Sequence, residues 1–343
     1  MNYLPVSKDS LNQAAQILRN GGLVAFPTET VYGLGADAFN AAALAKIFEA
    51  KNRPYFDPLI IHIASLDSLE NVADLSILTE EARQKLFTLA ENLWPGPLSI
   101  ILPKNKKIPG IATAGLETAA VRFPDHETAR ELISLSTGAV AAPSANPFGS
   151  LSPTRAEHVR DKLGDKIDMI LDGGATRIGL ESTVIDITGD SNSASVKILR
   201  PGGTPKEAIE KLIGKVEDGA PVSDVSGGLV SPGQLKSHYA PHTPLAALSM
   251  EEILQKEYEK NSAFLFFDGN TRNSWILAQK PPKNAILRVL SETGQILEAA
   301  SRFFETLHEL DNGKILRIFV QLAPQEGLGI AINDRISHAS TKK

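Results

Sequence analysis

Two periods of apolar residues follow each other along the first 205 positions of the chain. Helical periodicity, with an apolar residue every three to four positions, predicts helices at 10–20, 41–50, 79–93 and 126–136. Short apolar runs bounded by Gly or Pro predict strands at 22–26, 58–63, 98–102, 119–123, 139–142, 168–171, 183–187 and 196–199. This interleaving of helices and strands is typical of an α/β domain.

A second set of elements follows a stretch without any sustained period. Residues 216–244 are rich in Gly, Pro and Ser, which indicates a linker. Beyond them the pattern predicts helices at 250–260 and 291–310 and strands at 263–267 and 315–320. Because the chain is longer than a single core usually supports, we predict a domain over 1–205, a helix and linker over 206–244, and a small α/β domain over 245–343.

Composition is that of an ordinary globular protein and excludes several kinds of site. The 343 residues are 42% hydrophobic and 22% charged, and none is cysteine. Disulfides, thiolate catalysis and Cys-ligated zinc are therefore excluded, and a reducing compartment is favoured. The N-terminus lacks a basic segment followed by an apolar run, and no window approaches the roughly 20 apolar residues of a membrane span. We expect a soluble cytoplasmic protein with no membrane association.

The balance of basic and acidic side chains does not favour stable binding to a nucleic-acid backbone. Residues 1–205 carry 19 basic and 23 acidic side chains and the remainder carries 16 and 17, which together give the net charge of −5. Proteins that bind phosphate backbones stably show a basic surplus. No stable nucleic-acid binding is expected.

Cations and hydroxyls nevertheless recur at the ends of the predicted strands, where α/β domains build ligand sites. The cations are Lys51, Arg53, Arg122 and Arg200, and the hydroxyls are Thr30, Ser144, Ser152 and Ser182. A triphosphate requires several cations, and a zwitterionic amino acid requires a clamp for its carboxylate, so this set suits both. The sequence contains no P-loop, no GxSxG elbow and no HExxH zinc motif.

Each of these features also has a plain structural interpretation when it is taken alone. The GLG at 33–35 is too short for a dinucleotide fingerprint and favours a turn. The cations of 51–54 fit a solvated helix end, because they oppose the negative end of the helix dipole. The hydroxyls at 144 and 182 fit ordinary turn chemistry. His62, in an apolar run, fits a core histidine.

Seven motifs in fixed order resemble one family, the threonylcarbamoyl-AMP synthases, whose catalytic part is a YrdC-like domain. The motifs are PTETVYGLGADA, KNRPYFDPLIIHI, WPGPLSIIL, VRFP, APSANPFGSLSPT, ESTVID and LRPGG. The resemblance covers 1–205, and SPGQLKSHYAPHTPL at 231–245 is similar to the linker of two-domain members. It implies a twisted mixed α/β sheet with a concave, positively charged face, followed by a small Rossmann-like domain.

The resemblance also implies an activity, L-threonylcarbamoyladenylate synthase, which is a nucleotidyltransferase reaction. L-threonine, bicarbonate or CO₂, and ATP would give the adenylate and pyrophosphate, and downstream proteins would transfer the threonylcarbamoyl group to adenosine in tRNA. Threonine would be held by Thr30, His62, Arg122, Ser182 and the backbone near Ala142. ATP would be held by Lys51, Arg53, Asp57, Thr118, Ser144, Asn146, Ser152, Arg200 and Tyr239. Lys51 and Arg53 would act catalytically through their charge.

Mg²⁺ is expected to be coordinated mainly by ATP and not by a dedicated set of protein side chains. Two histidines, at 238 and 242, lie four apart, but Pro241 between them disfavours the helix that such a metal site needs. We further expect the segment 231–244 to close over the nucleotide as a lid, with Tyr239 near ATP. Phe148 is expected to pack on the linker.

Some questions stay open at the level of sequence. Asp57 would repel phosphates unless it binds Mg²⁺ or turns towards ribose, and no general base can be named, although His62 is a candidate. Two other functions remain possible: a module that binds RNA without chemistry, and a related enzyme that forms another carbamoyl-adenylate, as hydrogenase-maturation proteins do. The zinc-finger regions of those proteins require cysteine, which this chain lacks.

Overall fold

The structure is a computed structural model that describes residues 2–188, 195–219 and 239–340. The described residues divide into two compact units. The first unit comprises 2–148, 153–177, 181–188 and 195–219, and the second comprises 149–152, 178–180 and 239–340. The domain boundaries expected at 205 and 244 stay predictions, and residues 220–238 of the expected linker lie outside the described part.

A mixed sheet forms the centre of the first unit. Its strands, as far as the chain is described, are β1 (Asn2–Pro5), β2 (Val24–Phe26), β3 (Gly33–Asp37), β4 (Ile60–Ile63), β5 (Leu98–Pro103), β6 (Thr118–Arg122), β7 (Ala139–Ala141), β8 (Met169–Asp172), β9 (Thr183–Asp186), β10 (Lys197–Arg200) and β11 (Glu217–Asp218). Their order is β1-β8-β2-β3-β7-β4-β6-β5-β9-β10-β11. Strand β4 runs parallel to β6 and antiparallel to β7, so parallel and antiparallel pairs alternate at the centre.

Helices of the first unit begin and end where the sequence provides caps. They are α1 (Lys8–Arg19), α2 (Ala41–Lys51), α3 (Leu69–Val72), α4 (Glu80–Leu93), α5 (Glu127–Leu135), α6 (Ala156–Leu163) and α7 (Lys206–Ile213). The side chain of Asn40 accepts hydrogen bonds from two first-turn amides of α2, and Asn52 ends that helix in the left-handed conformation at φ 51°. The four helices predicted by periodicity are confirmed as α1, α2, α4 and α5.

One face of the sheet carries the main apolar core of the first unit. Ile61, Ile100, Val121 and Ile185 all belong to this cluster and are fully buried. Because successive side chains of a strand point to opposite faces, His62, Ser99 and Arg122 point away from this core. The polar candidates of the central strands therefore share the opposite face.

The expectation of a turn at 33–35 is wrong, since these residues form the start of strand β3. A Cβ atom on Gly35 would lie 2.8 Å from both Phe26 Cε1 and Val140 Cγ1. Gly33 would bring a Cβ to 3.3 Å from that of Ala142. The glycines therefore permit a strand to pass beneath large neighbours, and no phosphate needs to be invoked for them.

The second unit is a four-stranded parallel sheet in the order β12-β15-β13-β14, with helices between its strands. Its elements are β12 (Leu245–Leu248), α8 (Met250–Gln255), β13 (Ser262–Asp268), α9 (Gly269–Gln279), β14 (Ile286–Ser291), α10 (Ile296–Leu310), β15 (Arg317–Gln321) and α11 (Leu328–Ser340). A mixed sheet with a separate parallel sheet confirms the expected fold class. The helix predicted at 291–310 begins only at Ile296, after β14 has ended.

Among the described residues, no helix is both long and apolar enough to cross a bilayer.

Candidate active site

A row of polar side chains crosses the central strands of the first unit on the face opposite the main core. His62 of β4 lies beside Arg122 of β6, and Arg122 lies beside Ser99 of β5. The row continues through Val184 of β9 to Arg200 of β10. Cross-strand neighbours share a face, so this register sets residues 62, 99 and 122 next to one another although they are distant in sequence.

Arg122 links the row to the loop that follows β2. Its Nη2 donates to Thr30 Oγ1 at 2.9 Å and lies 2.7 Å from Glu29 Oε1, while Nε donates to the carbonyl of Gly96 at 3.4 Å. The guanidinium is only 4% exposed. None of the described residues takes a hydrogen bond from Nη1. Its N–H groups can therefore donate to the carboxylate of a ligand.

The loop that presents Thr30 is held by Thr28. Thr28 Oγ1 accepts from the amides of Thr30 and Val31 and donates to the carbonyl of Val31 at 2.6 Å. Since that donation uses the only hydroxyl hydrogen of Thr28, the 2.7 Å contact between the two threonine hydroxyls must be donated by Thr30. Thr30 then accepts from Arg122 and keeps one lone pair for another partner.

Ser182 joins the same face from the start of β9. Its hydroxyl lies 2.8 Å from Ser99 Oγ and accepts from Arg200 Nη2 at 3.2 Å. Ala142 lies at the end of β7, and its amide donates to the carbonyl of Ile60 at 2.9 Å. The structure therefore brings Thr30, His62, Arg122 and Ser182 together, while the amide of Ala142 is already used.

His62 is buried and electrically neutral at ordinary pH. Burial lowers the pKa of His62 to about 3, and the guanidinium of Arg122 acts in the same direction. Its Nδ1 lies 3.2 Å from the carbonyl of Ile60. The imidazole can accept or donate a hydrogen bond, but so low a pKa makes it a weak general base.

Lys51 is not a solvated helix end, which corrects the simpler of the two interpretations offered by the sequence. It is 1% exposed, and Nζ donates to the carbonyl of Ser144 at 2.5 Å and to that of Asn146. Burial lowers the pKa of Lys51 well below its ordinary value, and the nearby Arg53 lowers it further. Lys51 thus fixes the SAN loop at 144–146 from beneath.

Arg53 and Asp57 form a buried ion pair in the loop that follows α2, four positions apart in sequence. Arg53 Nη2 lies 2.9 Å from Asp57 Oδ1 and also donates to the carbonyl of Pro58 at 2.7 Å. Burial raises the pKa of Asp57, and the positive charges of Arg53, Lys51 and Arg200 oppose that rise. Asp57 therefore lies among the cations predicted to bind phosphate.

The other residues predicted for ATP lie in different places. Thr118 starts β6, four residues from Arg122 and about 13 Å along the strand. Ser152 belongs to the second unit, where His308 Nε2 lies 3.0 Å from its carbonyl oxygen. Tyr239 is 1% exposed in the second unit, with its ring 5.9 Å from that of Phe304.

The contact of Tyr239 with ATP and the closing lid stay predictions, because residues 231–238 lie outside the described part of the chain. The same holds for the packing of Phe148 on the linker. The ring of Phe148 lies 6.0 Å from the guanidinium carbon of Arg53, and its amide donates to the carbonyl of Lys51.

Sequence reasoning missed two members of the site, Glu29 and Ser99. Glu29 stands between two threonines inside PTETV, where an acid among residues otherwise suited to a buried loop was a usable signal. Ser99 lies in the apolar run LSIIL and gave no such signal. Its place follows only from its register with Arg122.

Comparison with known proteins places this arrangement in a family. One family model, described as telomere recombination, matches residues 16–202, and a second, described as the C-terminal domain of threonylcarbamoyl-AMP synthase, matches residues 204–341. A Bacillus subtilis protein named threonylcarbamoyl-AMP synthase is 41% identical over 342 residues, which cover 98% of this chain and 94% of that one. The chain belongs to the threonylcarbamoyl-AMP synthase family.

Other members of the threonylcarbamoyl-AMP synthase family extend the match. A protein of that name from Pyrococcus abyssi is 40% identical over 329 residues, covering 95% of this chain and 93% of the relative. A crystal structure of a Pyrococcus abyssi protein complexed with L-threonine has a TM-score of 0.83 and 38% identity, with 99% of this chain and 96% of that one covered. Every site residue predicted from the sequence except Tyr239 lies within the first family match, 16–202.

Proposed function

We propose that this protein makes L-threonylcarbamoyladenylate from L-threonine, bicarbonate or CO₂, and ATP, with release of pyrophosphate. The observation that carries the proposal is the buried set of Arg122, Thr30, Ser182 and His62 on one face of the sheet. Downstream transfer proteins would use the adenylate to modify adenosine in tRNA. The absence of cysteine from the chain suits a reducing compartment such as the cytoplasm.

Recognition of threonine is assigned to the row and the loop beside it. Arg122 Nη1 binds the substrate carboxylate, and the remaining lone pair of Thr30 accepts from the substrate hydroxyl. Ser182 and neutral His62 line the same place, and the carbonyl end of Ala142 closes it. Buried polar groups of this kind discriminate strongly against an analogue that leaves them without a hydrogen bond.

Recognition of ATP is assigned to the buried cations and the SAN loop. Arg53 and Arg200 carry charge towards the phosphates, and Lys51 holds Ser144 and Asn146 in place for the nucleotide. The threonine amine adds to CO₂ with loss of a proton to give an N-carboxylate. An oxygen of that N-carboxylate attacks the α-phosphate and pyrophosphate leaves, so the protein has mainly to align two anions and stabilise charge. Thr118, Ser152, Asp57 and Tyr239 remain assigned to ATP by family resemblance.

We infer that Mg²⁺ arrives with the nucleotide. No group of three His, Asp or Glu side chains that would hold a metal occurs among the described residues. The charged side chains around Asp57 are those of Arg53, Lys51 and Arg200. Positive charges do not suit a metal site built from protein ligands, but they suit a metal held by phosphate oxygens and water. When bound, the metal would neutralise phosphate charge.

Pyrophosphate release tests the proposal directly. With the full chain, release should require threonine and bicarbonate together, and valine should be rejected more strongly than serine because valine lacks the hydroxyl. Arg122→Gln should reduce release by about 100-fold, whereas Arg288→Gln in the second unit should not. Release without threonine, or equal turnover of threonine and valine, would contradict the proposal. Salt-dependent binding of RNA without release would instead favour the RNA-binding module.

A further inference from the structure

Glu29 is a buried carboxylate whose hydrogen-bonding capacity is unused. Its side chain is 1% exposed, and neither Oε1 nor Oε2 has a hydrogen-bond partner among the described residues. Arg122 Nη2 lies 2.7 Å from Oε1, so the two are an ion pair by distance, but the angles do not make a hydrogen bond. A carboxylate offers about four acceptor positions, and leaving them unmet in the interior is costly.

A carboxylate that only neutralises charge within a fold normally satisfies its oxygens. Asp311 of the second unit shows this pattern, because it accepts from the amides of His242 and Thr243 and from the hydroxyl of Thr243 at 2.9–3.0 Å. Glu29 has the burial of a structural acid without such donors. The described residues do not supply these donors, which leaves Glu29 able to receive them from a ligand.

The surroundings of Glu29 define the chemistry of that group. On one side stands the Arg122 cation with an unused Nη1 edge, and Thr30 offers one lone pair next to it. The ring of His126 lies within electrostatic range. A ligand must therefore place hydrogen-bond donors at Glu29 and an anionic group at Arg122. Because Glu29 and Arg122 lie next to each other, these two groups of the ligand must also be neighbours.

An α-amino acid zwitterion has this layout, because its ammonium and carboxylate are attached to the same carbon. We propose that Glu29 receives the α-ammonium group of L-threonine while Arg122 receives its carboxylate. The inference rests on the proposed function and adds to it a residue that selects for the amine. Glu29 then acts as a binding residue, and it gives the site a reason to refuse hydroxy acids of the same shape.

Binding measured by calorimetry on the full chain without ATP tests the inference. The ligands are L-threonine and (R)-3-hydroxybutanoate, which is the same molecule without its amine. In the unaltered protein threonine should bind about 10- to 100-fold more tightly, because a hydrogen bond to a charged group is lost with the amine. In Glu29→Gln that preference should shrink to about three-fold or less, since the cycle isolates the contact between Glu29 and the ammonium.

Matched variants separate recognition from support of Arg122. Glu292→Gln removes a carboxylate that is paired with Arg272 in the second unit, away from the residues assigned to substrates, and should leave the preference for threonine unchanged. If Glu29→Gln does not fold, Glu29→Asp keeps the charge one carbon further back and should reduce the preference partly. If Glu29 only supports Arg122, both ligands will weaken equally in the Glu29 variants.

Equal weakening of the two ligands, or an unchanged preference in a folded Glu29 variant, overturns the inference and leaves the proposed function standing. A failure of the unaltered protein to bind threonine at all overturns the proposed function and the inference with it. Loss of the preference in Glu29→Gln but not in Glu292→Gln supports the role of Glu29.

Discussion

The two units differ in how they treat buried polar groups. In the first unit Glu29, Asp57, His126 and Thr176 each bury a polar atom that has no hydrogen-bond partner among the described residues. The described part of the second unit contains no such atom. There, for example, the Asn333 side chain bonds both the amide and the carbonyl of Ala323 at 2.8 Å.

This difference indicates where a ligand is needed. The second unit is complete in itself, with a core in which Phe264 packs against Trp275 and Phe319 at ring distances of 4.4 and 5.0 Å. The first unit buries polar atoms that the described residues do not satisfy. Local rules of polar satisfaction are broken mainly at functional sites, and Glu29 and Asp57 lie beside two of the arginines to which substrate binding is assigned above.

The largest effect on stability should come from Arg53→Leu. Removing the guanidinium leaves the buried Asp57 carboxylate without its closest cation, which costs about 3–5 kcal/mol of unfolding free energy. Chemical denaturation should show the loss, and the double variant Arg53→Leu with Asp57→Asn should recover part of it. The matching change in the second unit, Arg288→Leu, breaks an exposed pair with Glu309 and should cost less than about 1 kcal/mol. Equal losses would erase the distinction between the units.

The next effect concerns turnover and the SAN loop. Lys51→Met removes the donor to the carbonyls of Ser144 and Asn146, so pyrophosphate release should fall by about 100-fold or more. Lys46 lies on the same helix and donates to the carbonyl of Gly21 at 2.6 Å from an exposed position. Lys46→Met should change release by no more than about two-fold. A similar loss in both variants would mean that the helix, and not the loop, is what matters.

A smaller effect should separate stability from substrate affinity in the second unit. Asn333→Ala leaves the buried amide and carbonyl of Ala323 without partners and should cost about 1–3 kcal/mol. The KM for threonine should stay unchanged, because the residues assigned to the threonine substrate belong to the first unit. Thermal denaturation and steady-state kinetics check the two parts, and a raised KM for threonine would contradict the division of roles.

The smallest effect is a pH dependence centred on His62. Its pKa is about 3 in the folded chain, against 6.5 for an unperturbed histidine, so the unfolded chain binds more protons between these values. His62 therefore makes its full contribution to the free energy of unfolding above pH 6.5. That contribution falls by about 1 kcal/mol for each pH unit below 6.5. Denaturation at pH values of about 7, 6 and 5 should show the slope, and His62→Gln should reduce it. The slope that remains in that variant includes His126 and His158, because burial lowers the pKa of both, that of His158 to about 4.

The sequence was sufficient for elements whose periodicity matches their burial. Helices α1, α2, α4 and α5 and the buried strands were predictable, because each presents a regular apolar face to a core. Strand β3 was not, since its glycines imitate a turn and are explained only by Phe26 and Val140, whose side chains would clash with a Cβ atom on Gly35. Helix α9 was missed as well, because it lacks a clear apolar stripe.

Predictability of the candidate site follows the same division. Motif order was enough to single out Arg122 and Thr30, which the structure joins by a hydrogen bond across 92 positions. The sequence did not show that Lys51 and Arg53 are buried, because burial depends on which loops cover them. Nor did it show the pairing of Glu29 with Arg122, because Glu29 lies in the loop between β2 and β3 and only the fold brings that loop beside β6.

The register that builds the polar row also sets when the site can first exist during synthesis. In space β6 lies between β4 and β5, yet β5 precedes it in the chain, and the row ends at Arg200 of β10. A nascent chain that has released only residues 1–122 holds Arg122 and Thr30 without Ser182. Such non-local pairing is slow to form, since loops must close before contacts stabilise them. The complete set of side chains in the row is therefore present only after synthesis has passed Arg200.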